Sequence, residues 1–443
     1  MFVARFAGAF IGAAAALFAT ASGAAGLTPE EEAIAAAVEA NAEASLGFLE
    51  KVVNINSDTM NPEGVRATGA AFAAAFEEIG FETSWEEMPP EIGRAGHFLA
   101  ERDGDQGNRL LLIGHLDTVF AKDGDFQTFR REGDKAYGPG VVDMKGGDVA
   151  MLYALKALHA AGALDRARIN VVFTGDEEKP GKPLSITRKS LIEAGEAADV
   201  ALNFEGGEEG IAVTARRGSS GWRLTTSGKR AHSSGVFSKE NGAGSIYEAA
   251  RILSGFYDAL TGEKYLTFNP GVIVGGTDVA FDSPASAGSA FGKTNVIAQK
   301  TIVDGDLRFI SEAQKEKARE RMKKIVARRL PQTEASIVFE DSYPAMEPTE
   351  GNMALLAVLS TASEDLGLGA FAANDPAKRG AADISFVAPV VPASLDGLGV
   401  RGEGAHGPGE LMEVASLKEA TLVGAILIYR LTRADAPTFT RSE

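Results

Sequence analysis

Three short apolar runs in this chain are each followed by groups able to hold a metal ion. Arg109 to Gly114 leads to His115 and Asp117, Arg168 to Thr174 leads to Asp176, Glu177 and Glu178, and Asp199 to Phe204 leads to Glu205. Carboxylates crowded together repel one another unless a cation lies among them, so a divalent ion is the economical reading of such a cluster. His115 and Asp117 are two residues apart, which on an extended chain puts both side chains on one side. Asp117 can then accept a hydrogen bond from the second ring nitrogen of His115, fixing the tautomer and raising the basicity of the ligand. The turn-rich segment Tyr137 to Gly147 delivers Asp143 to the start of a helix. Its glycines permit close backbone approach, and Asp143 can either bridge two ions or serve the helix N-terminus. Cysteine is absent and histidine occurs five times, at 97, 115, 159, 232 and 406. Disulfides, thiolate metal sites and cysteine nucleophiles are therefore excluded, and any metal must be held by imidazole and carboxylate. His97 and His159 belong to no such pattern and read as ordinary packed or exposed residues.

Those groups converge only if the apolar runs lie side by side. The runs are apolar along their whole length and separated by helical stretches such as Asp148 to Ala161. That pattern predicts a mostly parallel sheet, buried on both faces, with ligands beyond the carboxyl ends of its strands. Thr28 to Phe81 reads as helical before the sheet begins. Near Arg217 the rhythm changes: Gly218 to Thr226 alternates, Ser245 to Leu260 is helical, Gly271 to Gly276 and Asn295 to Phe309 read as strands, and Glu312 to Arg329 as a charged amphipathic helix. Such an order fits a small α+β sandwich inserted into the first fold. Gly275 to Gly292, rich in Gly, Ala and Ser, reads as a loop. With 443 residues the chain is too long for one core. The expected division is residues 1–25 as a signal peptide, 26–216 as the first part of a catalytic domain, 217–333 as an inserted lid and dimerisation domain, and 334–443 as the second catalytic part.

A formal net charge of −17 with no basic block excludes the electrostatic footprint of a nucleic-acid binder. The N-terminus carries Arg5, an apolar stretch from Phe6 to Phe18, and then small residues, the pattern of a cleavable secretory leader or, less simply, an uncleaved anchor. An exported protein, periplasmic or secreted, is expected, with no membrane span after cleavage.

Seven segments together are similar to the two-zinc exopeptidases and amidohydrolases that include glutamate carboxypeptidase, aminoacylase and succinyl-diaminopimelate desuccinylase. They are HLDTV at 115–119, YGPGVVDMKGG at 137–147, GDEEK at 175–179, NFEGG at 203–207, AHSS at 231–234, GDLRF at 305–309 and AHGPGE at 405–410, in family order. The nearest likeness is to the glutamate carboxypeptidase branch. The resemblance implies a zinc exopeptidase-like α/β catalytic domain with a lid, and two zinc ions, cobalt or manganese being possible replacements. It implies that Asp143 bridges the ions, that Glu178 and His406 complete one, and that His115 and Glu205 complete the other. Asp117 would orient a ligand and Glu177 would be the general base. His232 would reach across a homodimer to stabilise an oxyanion, while Arg308 and Asn295 would hold the substrate carboxylate, a task suited to the guanidinium fork.

One segment departs from the family, which often carries a Gly-Gly-Thr-Asp-Ala loop. Here Arg379-Gly-Ala-Ala-Asp-Ile384 stands in its place, keeping Asp383 but losing a hydroxyl. Lys378 and Arg379 can bind an acidic side chain or be solvated surface charge. The reading is a hydrolase of an amide bond next to a free carboxylate, acting on small peptides or N-acyl amino acids, carboxypeptidase-like, with glutamate as the candidate released residue. An N-acyl-amino-acid amidohydrolase or desuccinylase is the alternative, and a non-catalytic exported binding protein the alternative of another class.

Overall fold

A computed structural model describes residues 26–283 and 285–440; the leader expected over residues 1–25 lies outside the described residues. The first fold is built on a six-stranded sheet in the order Glu82–Glu86, His97–Arg102, Ala167–Thr174, Gln106–His115, Val200–Asn203, Ala393–Leu395. Gln106–His115 runs parallel to both of its neighbours, and Ala393–Leu395 is parallel to Val200–Asn203. The two strands at the far edge are antiparallel. This is the mostly parallel sheet with flanking helices that the apolar runs predict.

Leu110 to Ile113 are all fully buried, and they divide by parity. Leu110 and Leu112 enter the core shared with helices Lys145–Ala160 and Val414–Thr432, whereas Leu111 and Ile113 enter the core on the opposite face with Leu191, Ile384 and Val387. A period of two with both faces covered is what a central parallel strand requires. Helices Pro29–Ala40, Ala42–Val53 and Pro62–Glu77 account for the helical N-terminal stretch. The first begins at a capping box in which Thr28 and Glu31 satisfy each other's backbone N–H groups.

The second sheet is antiparallel, in the order Thr267–Gly276, Lys300–Phe309, Gly218–Gly228, Thr333–Asp341. Helices Ser245–Leu260 and Glu312–Val326 cover one face through Ile252, Phe256, Ala318 and Met322, packed on Trp222, Leu224, Val303 and Leu307. Ser311 caps the second helix, with Glu312 in its first turn and Lys323 and Lys324 in its last, complementing the helix dipole.

Two expectations change. The last strand of this sheet runs to Asp341, so the lid sheet extends beyond the boundary expected at 333; the alternating residues Ile337 and Phe339 pack on the lid core, not on the first sheet. The stretch 275–292 is not a loop but largely a hairpin, Asp278–Asp282 against Ala287–Phe291. Small-residue composition hid the alternation of Val279 and Phe281, and Arg223 stacks on the Phe281 ring at 5.0 Å. Gly288 is needed there, since a Cβ would stand 2.8 Å from that ring. Among the described residues no helix is long and apolar enough to cross a membrane.

Candidate metal centre

His115 is the last residue of its strand, Glu177 and Glu178 follow Ala167–Thr174, and Glu205 follows Val200–Asn203. All therefore stand at the carboxyl ends of parallel strands, the place where open α/β sheets present ligands. Asp143 arrives just ahead of the helix Lys145–Ala160, and His406 sits in a loop with a left-handed φ of 65°. The Nε2 of His115 lies 3.1 Å from Asp143 Oδ1 and 3.5 Å from Glu205 Oε1. The Nε2 of His406 lies 2.9 Å from Asp143 Oδ2 and 3.1 Å from Glu178 Oε2. The two oxygens of Asp143 thus face two separate triads, each with its ligand atoms within 4.8 Å of one another. A tetrahedral ion bound at about 2.0–2.2 Å spaces its donors roughly 3.3–3.6 Å apart, so the donor sets fit two divalent cations sharing one carboxylate. All five ligands expected from the sequence are brought together.

The electrostatics point the same way. Burial drives Glu205 and Glu178 above the usual carboxylate range, and the neighbouring Asp143 charge pushes further, against the pull of His115 on the first and His406 on the second. Asp143 is held below that range because the bonds to His115 and His406 outweigh its burial. The same bonds, to Asp143 and Glu178, raise His406 to about 11. Burial opposes charge on His115, yet Asp117, Asp143 and Glu205 lift it well above its usual value. These imidazoles attract positive charge, and divalent cations supply it without protons.

The contact expected between His115 and Asp117 takes another form. Nδ1 of His115 lies 3.0 Å from the Asp117 carbonyl oxygen and 3.5 Å from its carboxylate. That carboxylate instead accepts from the Thr59 hydroxyl at 2.6 Å and from the N–H groups of Glu177 and Glu178 at 3.0 and 3.2 Å. Asp117 therefore sets the backbone of the two glutamates as well as facing the histidine. The Tyr343 hydroxyl donates to the Glu177 carbonyl at 3.0 Å, fixing the turn from its other side. Burial holds the Glu177 carboxyl well above the ordinary range; His115 opposes this, while Asp383 and Glu205 add to it.

Several supporting residues were not foreseen. Arg188 is fully buried and donates to Asp176 at 2.6 Å and to Asp383 at 2.8 Å, which withdraws both acids from any metal. Glu410 accepts from the N–H groups of Gly140, Val142 and Asp143 at 3.1, 2.8 and 3.1 Å, clamping the turn that presents Asp143. Its burial, partly offset by those bonds, raises it to about 7. Lys145 donates to the carbonyls of Val52 and Ile55, both at 2.9 Å. Glu410 and Lys145 lie inside the quoted motif segments and were the visible signals; for Arg188 and Thr59 the sequence offers none. His97 is a packed residue beneath the Gly175 turn, its ring 2.7 Å from the Thr187 carbonyl.

Among the described residues, the lid groups make no hydrogen bond or ion pair with the triads. Exposed His232 accepts from the Ser234 N–H at 3.2 Å and bridges to Val296, while the Asn295 carbonyl accepts from the Ser233 N–H at 2.9 Å. Half-exposed Arg308 donates to Asp306 at 2.8 Å.

The sequence matches the model of Peptidase family M20/M25/M40 over residues 111–430, well over half of the chain. It is 28% identical over 397 residues to carboxypeptidase G2 of Pseudomonas sp. (strain RS-16), covering 86% of this chain and 88% of that protein. Aminopeptidase PepT from Bacillus cereus superposes with a TM-score of 0.69 at 18% identity, covering 88% of this chain and 98% of its own. The YXEP protein of Bacillus subtilis, described as a dinuclear metal binding peptidase from the M20 family, gives a TM-score of 0.60 at 14% identity over 89% of this chain and 99% of its own. The last two likenesses concern the fold, and the family match stands on the sequence. With the motif residues of that match converging on one shared carboxylate, the chain belongs to peptidase family M20/M25/M40 and is a metal-dependent hydrolase related to carboxypeptidases.

Proposed function

We propose that this protein hydrolyses the amide bond next to a free carboxylate in a small peptide or N-acyl amino acid, in the manner of a glutamate-releasing carboxypeptidase. The observation that carries the reading is the position of Asp143, whose two oxygens face separate His–Glu pairs at 2.9–3.5 Å. Asp143 would bridge two zinc ions, with His115 and Glu205 on one and Glu178 and His406 on the other. Imidazole and carboxylate donors equally suit cobalt or manganese. When bound, such ions polarise the scissile carbonyl and lower the pKa of a water toward about 7.

Glu177 is the general base in this reading. It takes a proton from the attacking water and passes it to the departing amine, a role worth about 10²–10⁴ in rate. Its backbone is held from both sides, by Asp117 on its N–H and Tyr343 on its carbonyl, so the carboxyl is aimed before substrate arrives. His232, Arg308 and Asn295 are exposed or half-exposed on the lid, a placement that suits the cross-dimer reach proposed for His232 and a carboxylate clamp made by Arg308 and Asn295. We further propose, from the leader-like pattern of Arg5 and the apolar stretch Phe6 to Phe18, that the protein is exported to the periplasm or the medium.

A panel of dipeptides and N-acyl amino acids, each with its terminal carboxylate free or amidated, tests the reading on zinc-loaded protein. Cleavage confined to free acids is expected. Turnover that ignores amidation overturns it, and a dominant acyl-chain preference would move the assignment to an N-acyl-amino-acid amidohydrolase or desuccinylase.

A further inference from the structure

Beside the metal ligands a cavity of about 350 Å³ opens, walled by Asp143, Glu205, Gly206 and Arg379, with Glu208 and Glu403 at its rim. Arg379 is half-buried there and donates one hydrogen bond, from Nη2 to the Gly206 carbonyl at 3.1 Å. Among the described residues its guanidinium forms no ion pair. The deeper arginines nearby are committed, Arg216 to Asp396 and Arg188 to Asp176 and Asp383. Lys378, which the sequence left level with Arg379, is exposed and does not line the cavity.

The loop that carries Arg379 is pinned on both sides. Arg217 donates to the Ala377 carbonyl at 3.2 Å, Arg216 to the Gly380 carbonyl at 2.8 Å, and Arg188 to Asp383. Asp375 caps the turn before it, accepting from the Ala377 N–H at 3.0 Å. A cation held this way loses little freedom when it binds an anion, and a guanidinium meets a carboxylate with two parallel bonds. Glu208 and Glu403 are exposed, so water and salt screen their repulsion, whereas the half-buried guanidinium is screened less.

We propose that Arg379 binds a second anionic group of the substrate, distinct from the carboxylate beside the scissile bond, and so selects dicarboxylic substrates. This rests on the hydrolase reading above. The second carboxylate could belong to the side chain of the released amino acid or to the acyl group, and the shared chemistry is a free carboxylate within reach of the metal pair.

The test compares wild type with Arg379→Gln and Arg379→Lys, all zinc-loaded and assayed for metal content. One arm measures kcat/KM for N-acetylglutamate against N-acetylglutamine; the other compares N-succinylalanine with N-succinamoylalanine, in which only the succinyl carboxylate is an amide. Wild type should favour the acid in one arm, which identifies the source of the anion. Arg379→Gln should shrink that acid-to-amide ratio about ten- to a hundredfold, the loss of a charge-assisted hydrogen bond, with metal content unchanged. Arg379→Lys should keep part of the ratio. Calorimetric binding of glutarate against its monoamide gives a second reading that needs no turnover. If no substrate is cleaved but wild type prefers glutarate and Arg379→Gln does not, the anion site stands while the hydrolase reading falls. If Arg379→Gln weakens acid and amide equally, or wild type never prefers the acid, Arg379 only braces the Gly206 turn and the proposal is overturned.

Discussion

The carboxyl edge of the six-stranded sheet and the four-stranded lid sheet carry residues of the same set of motifs under opposite physical conditions. At the sheet edge, His115 is 1% exposed, Asp117 fixes the backbone N–H groups of Glu177 and Glu178, and Glu410 fixes that of Asp143. On the lid, His232 and Asn295 are exposed and Arg308 retains 37% of its side-chain surface. The first region is a constellation assembled within one chain, whereas the second keeps its polar groups facing solvent. His406 sharpens the contrast, since its side chain is 58% exposed yet bonded to Asp143 and Glu178: partners on a shared carboxylate, not burial alone, separate the two regions.

The strongest way to break this comparison is to remove the base. Glu177→Gln should lower turnover roughly 10²–10⁴-fold while leaving metal content intact, because Glu177 is not in either triad. Stopped turnover with two bound metals in elemental analysis would support the division between base and ligands; unchanged turnover would remove Glu177 from the mechanism. The proposed role of His232 predicts complementation. Neither Glu177→Gln nor His232→Ala alone should turn over well, yet a mixture refolded together should regain activity, since a mixed dimer has one site with both groups. If no activity returns, the lid histidine acts within its own chain or not at all.

Stability should divide along the same line. Arg188→Met leaves Asp176 and Asp383 buried without their cation, and such a break costs about 3–5 kcal/mol, readable in denaturant unfolding. Glu410→Gln keeps the shape but turns one acceptor into a donor facing the N–H of Gly140 or those of Val142 and Asp143, at about 1–3 kcal/mol. The pH profile carries a further sign. Burial, with Asp383 and Glu205, favours the protonated form of Glu177, and only the deprotonated form can accept a proton. Without metal the Glu177 carboxyl should therefore titrate above the 4.5 of an ordinary glutamate, and zinc, by adding positive charge beside it, should lower that titration; infrared titration of the carboxyl with and without zinc checks the sign.

What could be read from the sequence follows from how local each signal is. Leu110 to Ile113 announce a central strand by being apolar on both parities, and the acids after each run follow from where strands end. Arg188 is different, because its partner Asp383 lies 195 residues away and nothing near either residue marks the pairing. Glu410 reaches the turn at Val142 across 268 residues, and its role appears only once the C-terminal segment has folded back. The hairpin at 278–291 was hidden for another reason: glycine, alanine and serine dominate its composition, while Val279 and Phe281 alternate beneath. Alternation over five residues is a weaker signal than composition over eighteen.

The smallest predicted effect is the most exacting for the comparison, because it sets the better bond geometry against the poorer burial. Arg223 and Asp304 on the lid sheet form a two-pronged pair, with Nη2 at 2.6 Å, whereas Arg188 meets the Asp176 carboxylate through Nη1 alone, also at 2.6 Å. The lid pair is 33% and 25% exposed, whereas the buried pair is 0% on both sides. In water each partner of an exposed pair is resolvated when the other is removed, so the coupling is small; in the interior the survivor has no solvent to replace its partner. A double-mutant cycle through Arg223→Ala and Asp304→Ala should therefore give no more than about 1 kcal/mol, falling further as salt is raised. A coupling on the lid as large as the loss in Arg188→Met would mean that bond geometry, not exposure, sets the strength of these pairs.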